Sequence, residues 1–339
     1  MIVPVFLPHA GCGQRCTYCN QYFVTNNAES MSRERRIAAT LEPVRDPVEV
    51  ALYGGNMLGL GPAELEGLLR LFEPYRRRIS HLRISAKPGP VSKETITVLK
   101  EHRVRVIELG IPTMNDAILR ALGRGHTAQD FFDSFRLLTG EGFEVGMQVM
   151  VGLPGETFAD LRETVSVITA LAPCFIRIYP LVVIEGTGLF EAFTRGDCVP
   201  DSLEAAVTKA SFVYASAWSH GIKTVKMGLT DNDVIRERIA AGPFHPAFGY
   251  LVKSETFRLA LSRVCEEIGT PGEVIVSISA HDVAHIVGPR RANLHRFREE
   301  GILIDWATDP SLDVGFFRVN GDGREAKGSL ADGLAILPS

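Results

Sequence analysis

The sequence predicts an α/β protein: a partial, TIM-like (β/α)6 barrel followed by a small carboxyl-terminal α/β domain. Three observations lead there. Short Val/Ile-rich runs alternate with helical patterns through the first two thirds of the 339 residues. Those runs show little apolar–polar alternation, as strands covered on both faces do. Near residue 230 the pattern changes, and a loop-rich stretch opens a second, shorter α/β series. Repeated β-then-α units imply right-handed crossovers and a parallel sheet, closed or partly closed as a barrel.

The candidate strands are VPVFL (3–7), VEVALYG (48–54), LRISAK (82–87), VRVIELGI (104–111), VGMQVMVGL (145–153) and FIRIYPLVV (175–183). Helical segments such as PAELEGLLRLFEPYRRR and TFADLRETVSVITALA lie between them. After these six units come a long helix around 201–219 and IKTVKMGL (222–229), too few units for a complete eight-fold barrel. This sets a first domain at 1–229. Beyond it, TDNDVIRERIAAGPFHPAFGY reads as loop, followed by a helix near 252–268. EVIVSIS (273–279), a helical stretch, GILIDW (301–306) and VGFFRV (314–319) complete a second domain at 230–325. The Gly- and charge-rich remainder, 326–339, reads as a partly disordered tail.

Hydrophobic residues at 45% and charged residues at 22% describe a globular protein with a sizeable core. A formal net charge of −4 gives no global attraction to nucleic acid or anionic membrane, so such binding requires a local patch. No apolar stretch approaches the ~20 residues needed to span a bilayer. The start, MIVPVFLPHAGC, lacks a basic region and its short apolar run holds two prolines, so no signal peptide is expected. Cys174, Cys198 and Cys265 are scattered and do not form a secreted disulfide framework. A cytoplasmic, reducing location with no membrane partner is expected.

The other three cysteines are not scattered. PHAGCGQRCTYCNQ sets Cys12, Cys16 and Cys19 as C-x3-C-x2-C, with Tyr18 directly before the last. They follow the first strand, at the carboxyl end where barrel enzymes place their chemistry. Three chemistries compete. A structural zinc site takes four ligands, usually two C-x2-C-like pairs, and the sequence offers no second pair. A redox dithiol needs only Cys16 and Cys19 and leaves Cys12 without a role. Three thiolates on one compact loop wrap three corners of a 4Fe–4S cluster and leave the fourth iron open to a ligand. The spacing favours the cluster.

In this strand context the motif resembles that of the radical S-adenosylmethionine superfamily. VPVFLPHAGCGQRCTYCNQ, LYGGN, ELGIPTM, RGHT, MVGLPGET, IRIYPLVVIEGTGL and AGPFHPAF follow in order over about residues 2 to 306. Together they resemble the branch related to the catalytic subunit of Elongator, in particular short bacterial proteins without an acetyltransferase domain. The resemblance implies that the cluster's unique iron chelates S-adenosylmethionine, and that reduction cleaves the sulfonium to release a 5′-deoxyadenosyl radical. It also implies an electron donor such as flavodoxin or ferredoxin, and tRNA or other RNA as the molecule to be modified.

Carried over residue by residue, the resemblance assigns Cys12, Cys16 and Cys19 to the metal, with Tyr18 beside them. Gly54, Gly55 and Asn56 present backbone groups to the methionine ammonium, and Gly152 and Leu153 line the adenine. Gln148, on the strand face of Met150 and Gly152, points into the barrel and is assigned, with Lys87, to cofactor binding. No residue is assigned to the second substrate's chemistry. Lys87 stands where relatives carry arginine, keeping the charge but losing the bidentate fork. Pro112 replaces an amide side chain, and Lys226 stands where arginine is common. These departures keep a second reading open: a protein that retains its cluster for structure or sensing and serves as an RNA-binding module.

HIVGPRRANLHRFREEGILIDW (285–306), preceded by VIVSIS, resembles the strand–helix–loop–helix–strand core of a KH domain. There a Gly-x-x-Gly loop grips a nucleic-acid backbone through amides. Here the loop is Gly288-Pro289-Arg290-Arg291, with arginine for the second glycine and one amide donor lost to proline. Arg290, Arg291, Arg296 and Arg298 offer phosphate contacts instead, against the plainer reading of a solvated helix face. Elsewhere, His245 is expected to be packed or hydrogen-bonded, Thr127 to cap a helix, and Tyr179 to sit at the barrel mouth.

Overall fold

A computed structural model describes residues 1–25, 31–269 and 272–336. The expected strands are present as β1 (Ile2–Phe6), β2 (Val48–Tyr53), β3 (Ile79–Ala86), β4 (Val104–Gly110), β5 (Glu144–Val151) and β6 (Ile176–Pro180). A short β7 (Val183–Ile184) follows, and β8 (Thr224–Met227) adds a seventh strand to the main sheet. The order is β1-β2-β3-β4-β5-β6-β8, every neighbouring pair is parallel, and the sheet stays open between β1 and β8. The barrel is partial, with one strand more than the six units counted. β8 escaped the count because it is a four-residue edge strand with Val225 exposed.

The strands do alternate, though not between core and water. Val50, Leu52, Ile84, Ile107, Leu109, Met147, Val149, Ile176 and Ile178 join the core under the helices. Glu49, Tyr53, Arg83, Glu108, Gln148 and Arg177 occupy the intervening positions and bond to one another across the concave side. Helices restart sharply after the loops: Thr127 and Thr157 each form a capping box with the aspartate three residues on.

β9 (Ile239–Ala241) pairs antiparallel with β7 beside the barrel. The carboxyl-terminal unit contains β10 (Gly272–Ile278), β11 (Ile302–Thr308), β12 (Phe316–Gly321) and β13 (Arg324–Ser329), in the order β11-β10-β12-β13. β10 and β11 are parallel and enclose the helices Val283–Val287 and Ala292–Glu299, giving the anticipated strand–helix–loop–helix–strand succession. The 21-residue helix Phe248–Ile268 ties the two units together. Its first turns place Phe248 and Val252 in the barrel core. Its later turns place Phe257, Leu261 and Val264 in a second core with Val274, Val276, Phe297, Phe317 and Leu330.

The expected tail is corrected by the structure. Residues up to 336 complete β13 and a 3-10 turn, Leu330–Ala335, that packs on the long helix. The glycines that suggested a loose tail are close-approach residues. A Cβ at Gly328 would lie 2.5 Å from the Phe317 ring, and one at Gly333 would lie 3.0 Å from the Ala260 amide. Residues 337–339 of the tail lie outside the described residues. Among the described residues, no helix is long and apolar enough to cross a membrane.

Candidate active site

β1 delivers the chain to a loop whose backbone is zipped to the turn after β2. The His9 amide donates to the Gly54 carbonyl at 2.7 Å, and the Asn56 amide donates to the Ala10 carbonyl at 2.7 Å. No side chain fits between the two loops: a Cβ at Gly11 would lie 2.1 Å from the Asn56 carbonyl oxygen, and one at Gly55 would lie 2.5 Å from that of Ala10. The Asn56 side chain extends the lattice, donating to the Gly11 carbonyl at 3.4 Å and accepting from the Lys87 amide at 2.8 Å. Gly54, Gly55, Asn56 and Lys87 are thus gathered beside the cysteines from the carboxyl ends of β2 and β3.

Cys12, Cys16 and Cys19 are free thiols, each half-buried. The Cys19 amide closes a turn onto the Cys16 carbonyl at 3.1 Å, and Gln21 Nε2 donates to Cys19 Sγ at 3.2 Å. Burial pushes the Cys19 thiol up to about 11 and raises that of Cys12, so this pocket favours thiolates only when a cation accompanies them. One cation is built in. Arg124 reaches Cys16 Sγ at 3.5 Å and the Tyr18 hydroxyl at 3.2 Å, and it also donates to the Gly110 carbonyl. Its Nε is buried without a partner.

Arg124 was missed in the sequence, where RGHT was read only for its helix start. Its signal was the glycine on either side, Gly123 (φ 65°) and Gly125 (φ 61°), both left-handed. His126 next to it is held down to about 4 by burial and then by the Arg124 charge, so it is neutral near pH 7. Tyr18 packs against a buried cluster that includes Ile118, Leu122, Leu153 and Leu189.

Below the mouth lies a charged hub, also missed. Glu108 on β4 has a fully buried side chain. Its oxygens accept from the Tyr53 hydroxyl at 2.7 Å, Arg83 Nη1 at 3.0 Å, Gln148 Nε2 at 2.8 Å and Arg177 Nε at 2.7 Å. Arg83 also donates to Glu49 and lies 4.7 Å from the centre of the Phe175 ring. The Arg177 guanidinium stacks 5.1 Å from the Tyr53 ring centre. Gln148 therefore points inward, as expected, but into the hub. The available signal was a charge set among apolar residues in three separate strands: VRVIELGI, LRISAK and FIRIYP.

At the carboxyl end of β5, Gly152 adopts φ 77°, and a Cβ there would lie 2.7 Å from an Asp201 oxygen. The Gly152 and Leu153 amides donate to the Glu156 carboxylate at 2.9 and 3.4 Å. Burial nevertheless raises Glu156 to about 7. Leu153 is buried in the Tyr18 cluster. These two residues follow β5, three strands along the sheet from the β2 end that carries the Gly54–Asn56 turn, and their amides are already engaged.

Comparison with known proteins decides the family. A profile of the radical SAM superfamily matches residues 6–168, and a profile of the radical SAM carboxyl-terminal domain matches residues 173–258. The chain belongs to the radical SAM superfamily. The heme chaperone HemW of Bacillus subtilis (strain 168) is 28% identical over 225 residues, 62% of this chain and 59% of HemW. The tRNA uridine(34) acetyltransferase of Methanocaldococcus jannaschii is 30% identical over 163 residues, 46% of this chain and 29% of that protein. The structure of archaeal Methanocaldococcus infernus Elp3 with an N-terminal deletion covers 94% of this chain and 72% of Elp3, at TM-score 0.56 and 22% identity, a likeness of fold. The chain spans between 29% and 59% of the length of these curated relatives.

The donor set fits the cluster that radical SAM membership implies. Three free thiols share one loop, that loop is pinned by amide–carbonyl bonds, and a buried guanidinium stands beside it. Among the described residues, no three His, Cys, Asp or Glu side chains gather tightly enough for a single metal ion. The positions read from the sequence as departures from the resembled pattern are structurally mixed. Pro112 is buried and its carbonyl accepts from the Met150 amide at 3.1 Å, while Lys226 lies inside the barrel in register with Arg177.

In the carboxyl-terminal unit, Arg290 and Arg291 are exposed on the loop between the two helices, both with left-handed backbone. Arg296, one of the four arginines expected to offer phosphate contacts, is instead ion-paired: Glu204 and Glu255 hold its guanidinium at 3.2 and 3.3 Å. Those carboxylates come from the two long helices, a long-range pairing that local sequence does not display. His245 Nδ1 accepts from the Ala247 amide at 3.0 Å.

Proposed function

We propose that this radical SAM protein is an enzyme in which Cys12, Cys16 and Cys19 hold a 4Fe–4S cluster and the barrel mouth binds S-adenosylmethionine. One observation carries the reading: the three-thiol loop at the end of β1 is locked to the Gly54–Asn56 turn at the end of β2. When bound and reduced, the cluster supplies the electron that breaks a C–S bond of S-adenosylmethionine and so yields a 5′-deoxyadenosyl radical.

The chain's own residues prepare that event. Lys87 offers an ammonium to the methionine carboxylate, and the Gly54 and Gly55 carbonyls, each with two lone pairs, accept from its ammonium. Asn56 fixes the spacing of all three loops. Tyr18, Gly152 and Leu153 form the wall against which an adenine lies. Arg124 offsets thiolate charge in a site shielded from water. Gln148 is assigned to orient the hub.

Residues 1–229 are taken as the catalytic body and 230–325 as the module that presents a second substrate. We take that substrate to be tRNA or another RNA, reached through Arg290 and Arg291. Several relatives carry tRNA modification in their names, among them the uridine(34) acetyltransferases and a tRNA methylthiotransferase. A flavodoxin or ferredoxin is the expected class of electron donor. Anaerobic reconstitution tests the reading: about four irons and four sulfides per chain are expected, with S-adenosylmethionine binding by calorimetry. Zinc occupancy without a cluster overturns it. A cluster that binds no S-adenosylmethionine leaves only an RNA-binding module.

A further inference from the structure

The barrel interior carries more positive charge than its own carboxylates neutralise. Arg83, Arg177 and Lys226 share the concave side with two glutamates, Glu49 and Glu108. Glu108 is fully committed, accepting from Tyr53, Arg83, Gln148 and Arg177. Glu49 is engaged by Arg83, with His81 at 3.6 Å. Neither carboxylate is left for Lys226.

Lys226 is placed there by register. It pairs with Arg177 across the parallel β6–β8 ladder, so both side chains leave the same face of the sheet. It is half-buried, and among the described residues its ammonium makes no hydrogen bond or ion pair. Burial, and then the neighbouring Arg177 charge, lower its pKa. Partly buried cations are ordinarily paired, and one set beside another cation lacks its anion. β8 is the edge strand of the open sheet, so Lys226 stands beside the gap between β8 and β1. It is also distinct from the mouth. Lys87 lies two residues beyond Ser85, the register partner of Glu108, and its backbone amide is tied to the cysteine loop's Asn56.

We infer that Lys226, backed by Arg177, is an anion subsite of the barrel interior, and that the second substrate is held there by a carboxylate or phosphate group. This names the substrate class for the enzyme proposed above and rests on that reading for its role in turnover. Arg177 alone is a poor recogniser, because its Nε and Nη2 are taken by Glu108 and Tyr53. Lys226 supplies the free donors.

The test is calorimetric titration of inorganic phosphate, and separately of acetate, into the full chain at low ionic strength, as isolated and after cluster reconstitution. A single anion site per chain is expected. Lys226→Met should weaken it by about tenfold or more, and Lys226→Arg should retain it. The preferred anion tells phosphate from carboxylate. Lys226→Met removes a repulsion, so its Tm should equal or exceed that of wild type; should it not fold, Lys226→Gln serves the same purpose. The inference is overturned by a wild type with no stoichiometric site, or by Lys226→Met binding as wild type does. Displacement by S-adenosylhomocysteine also overturns it, since that assigns the site to the nucleotide. No reductant or turnover is needed, so failure of the subsite leaves radical chemistry standing, and absence of radical chemistry leaves the subsite standing.

Discussion

The loop after β1 and the loop between the two carboxyl-terminal helices are built in opposite ways. At the barrel mouth, glycine occupies the tight positions: Gly11 and Gly55 sit where any Cβ collides with backbone. In the carboxyl-terminal loop, Gly288 is likewise packed against Asn293, yet the following left-handed positions are filled by Arg290 (φ 50°) and Arg291 (φ 65°). A non-glycine residue held left-handed costs about 1 kcal/mol or somewhat more. Asn293 keeps the loop in shape, donating to Ser254 and to the His285 carbonyl at 3.0 Å. The mouth confines its left-handed non-glycine backbone to His9 (φ 58°) and gathers thiols inward, whereas the other loop places two arginines in that conformation and displays charge outward. On the proposed reading, in which the arginine loop contacts RNA, chemistry and RNA capture should be separable by mutation.

The largest expected effect lies at the mouth. Changing Cys12, Cys16 or Cys19 to Ala should abolish iron, sulfide and the visible absorption of the reconstituted protein. Cys174→Ala, Cys198→Ala and Cys265→Ala should keep all three. A cluster that survives loss of Cys12 would break the contrast, because the lattice around Gly11 would then be structural only.

Next comes the difference between buried and exposed charge. Glu108→Ala leaves the interior Arg177 without a carboxylate and Arg83 with Glu49 alone, and should lower unfolding stability by about 3–5 kcal/mol in denaturant titrations. Arg296→Ala breaks two ion pairs near the surface and should cost no more than about 1 kcal/mol. Equal losses would mean that the hub is far wetter than its burial implies.

Glu156 gives a pH signature confined to the barrel. Its carboxyl is raised from an ordinary 4.5 to about 7, chiefly by burial. The folded protein thus binds this proton more tightly than the unfolded chain. Its contribution to stability is full below the ordinary carboxylate value and is lost as pH rises through about 7. Tm should fall over that interval, and Glu156→Gln should flatten the profile and melt above wild type at alkaline pH. An unchanged slope in Glu156→Gln would assign the trend to other groups.

The smallest effect sharpens the comparison most. Arg291→Gly removes left-handed strain and should stabilise the protein by about 1 kcal/mol. It should also weaken tRNA binding and reduce the log–log salt slope by ~0.7–0.9 if one phosphate contact is lost. Gain of stability with unaltered RNA affinity would make the strain incidental.

These regions also differ in how far the sequence exposed them. The cysteine loop, the glycine turns and six strands were legible because each is local: a spacing, a φ-demanding residue, a run of β-branched side chains. The hub was not, because Glu108, Arg83 and Arg177 meet across separate strands, and a strand buried on both faces hides which face is charged. Arg296 was misread for the same reason, its acidic partners lying 92 and 41 residues away. The tail was misread because glycine marks both loose chain and close approach, and only Phe317 and the long helix tell which.

Reductive cleavage of S-adenosylmethionine at the mouth underlies these contrasts. Its most direct test is anaerobic incubation of the reconstituted protein with dithionite and S-adenosylmethionine, followed by chromatographic detection of 5′-deoxyadenosine. 5′-Deoxyadenosine is expected from the wild type and from the Arg290→Glu/Arg291→Glu double variant, and not from Cys16→Ala. Fully loaded wild type that yields none would rule out radical chemistry at this mouth.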